Sequence, residues 1–217
     1  MKYVNSKISV INVGKEFVGA AVLSEVNAEF EKGKIHGIIG RNGSGKTVLL
    51  KCICGLIRDY TGSILIDGKE CKKTPLNHQD IGAIIETPGF IHGYSGYANL
   101  KFLANIRHRI GNDEIIAAMK VAGLDPTSRK HVEKYSLGMR QRLGIAQAIM
   151  EDPDILILDE PMNGLDHVGV RDMREVMMKL RAAGKTLLLA SHNMEDIHVL
   201  CDVIFEMDAG RVSRIDP

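Results

Sequence analysis

Three short runs set the terms for any fold this chain can adopt: KIHGIIG (34–40), DILILDE (154–160) and TLLLASH (186–192). Their centres are continuously apolar rather than alternating, the pattern of strands covered on both faces. Further runs, SILIDG (63–68), IGAIIE (81–86) and VIFEMDAG (203–210), are separated by helical patterns at 45–57, 96–108, 112–122, 136–150, 168–183 and 193–201. That order predicts an α/β fold with a mainly parallel central sheet. The stretch 88–150 reads instead as nearly all helical. It is expected to form a lobe inserted into the sheet core of a single domain spanning 1–217.

Composition narrows the function. A net charge of +1 excludes the basic field of a general nucleic-acid binder. The longest apolar runs, ILIL at 155–158 and TLLLA at 186–190, are far too short to cross a bilayer. The opening MKYVNSKISV has no long apolar segment to direct secretion, and the close, VIFEMDAGRVSRIDP, is expected to leave no room for a regulatory domain. Cys52 and Cys54 point to different faces of a predicted helix, and with Cys71 and Cys201 they form no zinc-like spacing. Reduced, packed thiols are the expectation.

GRNGSGKT at 40–47 fits G-x-x-x-x-G-K-[ST] and passes from a predicted strand into a predicted helix. In such a loop Gly40, Arg41, Asn42, Gly43, Ser44 and Gly45 turn backbone N–H groups toward phosphate oxygens, and the helix N-terminus adds its positive end. Lys46 would reach the β- and γ-phosphates, and Thr47 would ligate Mg²⁺. A second GKT at 184–186 has Lys179 where the first glycine belongs and leads into a strand, so it is read as a turn. At the end of DILILDE, Asp159 is a candidate Mg²⁺ carboxylate and Glu160 a candidate general base. His192 ends TLLLASH on the same expected ligand edge, within reach of a γ-phosphate.

Between these sites lies YSLGMRQRL, 135–143. With GRNGSGKT before it, and ILILDEP, MNGLD and LASH after it, the chain resembles the ATP-binding subunit of an ABC transporter along essentially its whole length. The resemblance implies a P-loop NTPase fold with an N-terminal antiparallel part and the inserted helical lobe. By position, Gly40–Thr47 match the Walker A loop, Ile155–Asp159 the Walker B strand, Glu160 the catalytic glutamate, Asn163–Asp166 the D-loop and His192 the switch histidine. Phe17 matches the aromatic that stacks on adenine, where the family usually has tyrosine; a core phenylalanine is the other reading. Ser136, Gly138 and Met139 stand in the signature segment, which departs from the usual Leu-Ser-Gly-Gly-Gln. In the family this segment meets ATP held by a second copy.

Glu86, at the end of IGAIIE, stands where most members have the Q-loop glutamine. It is expected to touch Mg²⁺ and the attacking water, against the plainer reading of a charge where the chain surfaces. Glutamate there, with the SLGM-type signature, resembles the subgroup serving bacitracin export and lantibiotic immunity. Phe90, Ile91, Tyr94 and Tyr97 either dock a permease or pack the lobe. The expectation is therefore an ATP- and Mg²⁺-dependent ATPase, dimeric on ATP, cytoplasmic and bound to the inner face of the membrane through separate permease subunits. It would export antimicrobial peptides and bind no nucleic acid. The alternatives are a non-transport ABC ATPase and an ATP-dependent sensor or switch.

Overall fold

The computed structural model describes residues 6–72 and 81–215. Two long strands, β1 (Ser6–Phe17) and β2 (Ala20–Glu31), form a hairpin. With β4 (Thr61–Ile66) and β5 (Lys69–Glu70) they make an antiparallel sheet in the order β2-β1-β4-β5. SILIDG thus pairs with β1 and lies outside the parallel sheet. The second sheet comprises β3 (Ile35–Ile39), β6 (Ile81–Ile84), β7 (Ile155–Asp159), β8 (Thr186–Ala190), β9 (Val203–Asp208) and β10 (Arg211–Ile215). Its order is β10-β9-β3-β8-β7-β6, parallel throughout except for β10, which folds back on β9.

β3, β7 and β8 are buried at every position, as their unbroken apolar runs require. Successive side chains divide between two cores. Ile155 and Ile157 of β7 and Leu188 of β8 join Ile8, Val10 and Phe30 of the antiparallel sheet and Leu49, Leu50 and Ile53 of α1 (Lys46–Ile53). Leu156, Leu158, Leu187 and Leu189 face the opposite layer. That layer is built by α2 (Gly96–Arg107), α3 (Asn112–Val121), α4 (Leu137–Ile149), α5 (His167–Ala182) and α6 (Met194–Leu200). The parallel sheet is therefore the middle of three layers.

Helix ends fall within a residue or two of the sequence reading except for α1, which stops at Ile53 rather than running to 57. Cys54 closes the last turn and Gly55 follows at φ +69. Of α2–α6, the first three, with a 3-10 turn at Val132–Lys134, lie in chain order between β6 and β7. Close packing joins α4 to the sheet edge and the segment after it: a Cβ added at Gly82 of β6 would stand 1.9 Å from the Ala148 carbonyl oxygen, and one added at Gly144 would stand 2.7 Å from Pro88 Cγ.

Candidate functional site

The loop after β3 turns inward because its glycines permit it. Gly45 takes φ +108, and a Cβ there would stand 2.8 Å from the Val22 carbonyl oxygen. α1 then begins at Lys46 with no side-chain cap and no acidic residue in its first turn, leaving its N–H groups and positive end toward the loop. Lys46 is buried and donates to the carbonyls of Gly40 at 2.6 Å and Arg41 at 3.1 Å. Ser44 Oγ is buried with no hydrogen-bond partner among the described residues.

β7 brings its carboxylates to this loop. A cleft of about 230 Å³ is lined by Asn42, Gly43, Gly45, Lys46, Thr47, Asp159 and Glu160, among others. Thr47 Oγ1 donates to Asp159 Oδ2 at 2.7 Å. Asp159 is buried, and burial pushes its carboxyl above the usual range. The Thr47 bond opposes that shift, while the charges of Glu160 and Glu86 add to it and Lys46 offsets them in part.

Glu160 leaves the strand at φ +50, with its N–H on the Ala190 carbonyl at 2.9 Å. Its Oε1 receives the His192 backbone N–H at 3.1 Å and lies 2.8 Å from His192 Nδ1, a donor in the Nδ1–H tautomer. His192 also borders a hollow of about 480 Å³ with Gly40 and Arg41, so it faces the phosphate loop from the β8 side. Parallel strand ends thus assemble base-type, metal-type and cationic groups around one anion cradle. Such a set can hold a polyphosphate and deprotonate a water beside it.

The remaining site residues predicted from sequence stand apart from this cleft. Ser136 caps α4, its Oγ accepting the Met139 N–H at 3.2 Å, and Gly138 follows in the first turn. Met139 packs partly into the core. Phe17 is exposed at the hairpin end, with Lys15 Nζ 4.7 Å from its ring centroid. Of the four residues after Glu86 with two readings, Phe90 and Tyr97 pack on the core while Ile91 and Tyr94 stay exposed.

Glu86 also sits outside the cleft lining. Its φ is +61, and its Oε1 pairs with Lys51 Nζ at 2.8 Å. Sequence reasoning passed over Lys51, although it follows Thr47 by four positions and so shares its helix face. It also passed over Gln141 of α4, buried, whose Nε2 donates to the Glu160 carbonyl at 3.4 Å. Leu137, which stands in the signature segment where the family has a glycine, lies against Gly164, where a Cβ would come within 2.4 Å of its side chain.

Comparison with known proteins gives this geometry its kin. The family model described as ABC transporter matches residues 23–163. The chain is 41% identical over 205 residues to the uncharacterized ABC transporter ATP-binding protein YybJ of Bacillus subtilis, covering 94% of each. It is 40% identical over 214 residues to the bacitracin transport ATP-binding protein BcrA of Enterococcus faecalis, covering 98% of this chain and 68% of that one. The lantibiotic transport ATP-binding protein SrtF of Streptococcus pyogenes is 34% identical over 205 residues, covering 94% and 88%. A dimeric structure of the bacterial ABC transporter cassette MJ0796 superposes with a TM-score of 0.87 over 97% of this chain and 99% of its own, at 23% identity, which speaks to the fold. With relatives this close along nearly its whole length, the chain belongs to the ABC transporter family, among its ATP-binding subunits.

Proposed function

We propose that two copies of this ATPase close around ATP and drive a separate membrane permease that exports antimicrobial peptides of the bacitracin or lantibiotic kind. The observation that carries the hydrolytic part is the Glu160–His192 pair beside the phosphate loop. The export reading rests on the likeness to BcrA and SrtF. The chain works at the cytoplasmic face, and no helix of the described residues is long and apolar enough to cross a membrane. Residues 88–150 act as the lobe that meets the permease, through Ile91 and Tyr94.

In hydrolysis, water oxygen bonds to the γ-phosphorus as the bond from phosphorus to the β,γ-bridging oxygen breaks. Glu160 takes the water's proton, and His192 holds Glu160 in place through Oε1. Lys46 and the loop N–H groups balance charge on the phosphates. Phe17 stacks on the adenine ring. Ser136, Gly138 and Met139 present the N-terminal end of α4 to the γ-phosphate on the other copy. The Thr47–Asp159 oxygen contact, with a carboxyl raised by burial, fits a cation held there. Thr47, Asp159 and Glu86 would hold Mg²⁺, which supplies charge neutralisation to the phosphate oxygens when bound. The Glu160–His192 pair favours turnover over a switch without hydrolysis.

Two measurements test this reading. A strain lacking the chain should become more sensitive to bacitracin or a lantibiotic, and the chain should co-purify from membranes with its permease; unchanged sensitivity to both removes the export assignment. For Glu86, the Mg²⁺ concentration at half-maximal hydrolysis should rise in Glu86→Gln and rise further in Glu86→Ala. Superimposable curves return Glu86 to an ordinary surface charge.

A further inference from the structure

Lys51 has no role in the reaction as described, yet the fold ties it to both sides of the site. On α1 it follows Thr47 by one helical turn on the same face. Its ammonium reaches across to Glu86 Oε1 at 2.8 Å, over a sequence separation of 35. Glu86 meets it from φ +61, a left-handed backbone conformation uncommon for a non-glycine residue. The Lys51 side chain is 28% exposed and that of Glu86 64%, so as a surface pair it adds little to stability. Its meaning lies in charge.

Asp159, Glu160 and Glu86 put three carboxylates at or beside the cleft. Lys46, the cation inside it, is directed to the Gly40 and Arg41 carbonyls and thence to the phosphates. A triphosphate adds more negative charge. An amide at position 86 would be neutral toward it, whereas a bare carboxylate would repel it. We propose that Lys51 is a positioning residue of the ATP site, neutralising and holding Glu86 so that a γ-phosphate can bind beside a carboxylate. This rests on the reading of Glu86 as a γ-phosphate-side residue.

The test is equilibrium binding of ATP and ADP by calorimetry, with Mg²⁺ present, to wild type, Lys51→Met, Lys51→Arg, Glu86→Gln and the Lys51→Met/Glu86→Gln pair. Thermal midpoints check that each variant folds. One uncompensated near-surface charge predicts a three- to tenfold rise, roughly, in the ATP Kd of Lys51→Met. ADP, lacking the γ-phosphate, should weaken by less than about twofold, and Lys51→Arg should bind as wild type. In the Glu86→Gln background, Lys51→Met should change the ATP Kd by less than about twofold, because the charge it compensates is gone. An unchanged ATP Kd in Lys51→Met, equal losses for ATP and ADP, or a loss that persists in the Glu86→Gln background overturns the proposal. The Mg²⁺ titration of Glu86→Gln alone fails or holds independently of this coupling, so the failure of the Glu86 reading is told apart from that of Lys51.

Discussion

Replacing Glu160 with glutamine separates chemistry from architecture at the centre of the site. Oε1 accepts two hydrogen bonds from His192, at 3.1 Å from the backbone N–H and 2.8 Å from Nδ1. A glutamine carbonyl oxygen accepts both in the same place, so the side chain stays oriented and loses only the charge-assisted part of each bond, about 1 kcal/mol in all. The charge of Glu160 is one of the influences that raise the pKa of the neighbouring Asp159, after burial, so its removal should relieve Asp159. What disappears is the proton acceptor. Loss of a general base lowers turnover by about 10²–10⁴, or roughly 3–5 kcal/mol of barrier. Steady-state phosphate release should fall by that factor while the ATP Kd changes little. With hydrolysis blocked, an ATP-bound dimer should accumulate on sizing chromatography. Turnover like the wild type's refutes the base assignment. A parallel loss of ATP binding would show that Glu160 shapes the cleft rather than the reaction.

Ser136→Asp keeps a good N-cap on α4 but adds a charge where the other copy's γ-phosphate is expected. Combined with Glu160→Gln it should abolish the ATP-dependent dimer by the same chromatography while the monomer still binds ATP, and a persisting dimer removes the trans contact. Gly164 lies at φ +77 with Leu137 against it, so Gly164→Ala should lose about 1–3 kcal/mol in urea unfolding, part of it regained with Leu137→Ala. Buried His36 uses Nε2 on the Glu31 carbonyl at 3.0 Å, while Nδ1 is buried without a partner among the described residues. Burial, outweighing that bond, holds its pKa below 6.5, so the unfolded chain takes the proton first. The stability His36 confers is full above pH 6.5 and is lost as the pH falls through it, by at most about 1.4 kcal/mol per unit. His36→Phe should flatten that acid limb in denaturation midpoints, and an unchanged slope refutes the assignment.

Residues whose environment is set by local rules were legible in the sequence. Continuous apolar runs announced β3, β7 and β8, and the loop-to-helix passage at Gly45–Lys46 announced the phosphate cradle. The antiparallel part holding β1 and β2 was implied by the resemblance, but the individual strands were not read from the residues, because charges and register shifts along the hairpin blur their alternation. β10 escaped because it is an exposed edge strand with little apolar content. The pairing of Lys51 with Glu86, and of Leu137 with Gly164, joins segments far apart in the chain, and no local pattern reports it. His192 was legible as a neighbour of the γ-phosphate. That it grips Glu160 depends on Asp159 and Ala190 ending their strands as register partners, which sets the residues just past them side by side and which only the register discloses.

Pro88 sits in the notch of Gly144 with the ring where a side chain would otherwise be. It follows Glu86 by two residues, and Gly144 follows the Ser136 cap by eight, about 12 Å along the axis of α4. The contact therefore ties the segment after Glu86 to the middle of α4, as a pawl rests in a toothed rack. If Glu86 and Ser136 have the roles proposed above, a shift at one would be carried along the stiff helix to the other. Filling the notch with a methyl group would disengage the pawl while leaving both chemical ends intact. On that reading, such a chain would still split ATP but lose the link between the two ends.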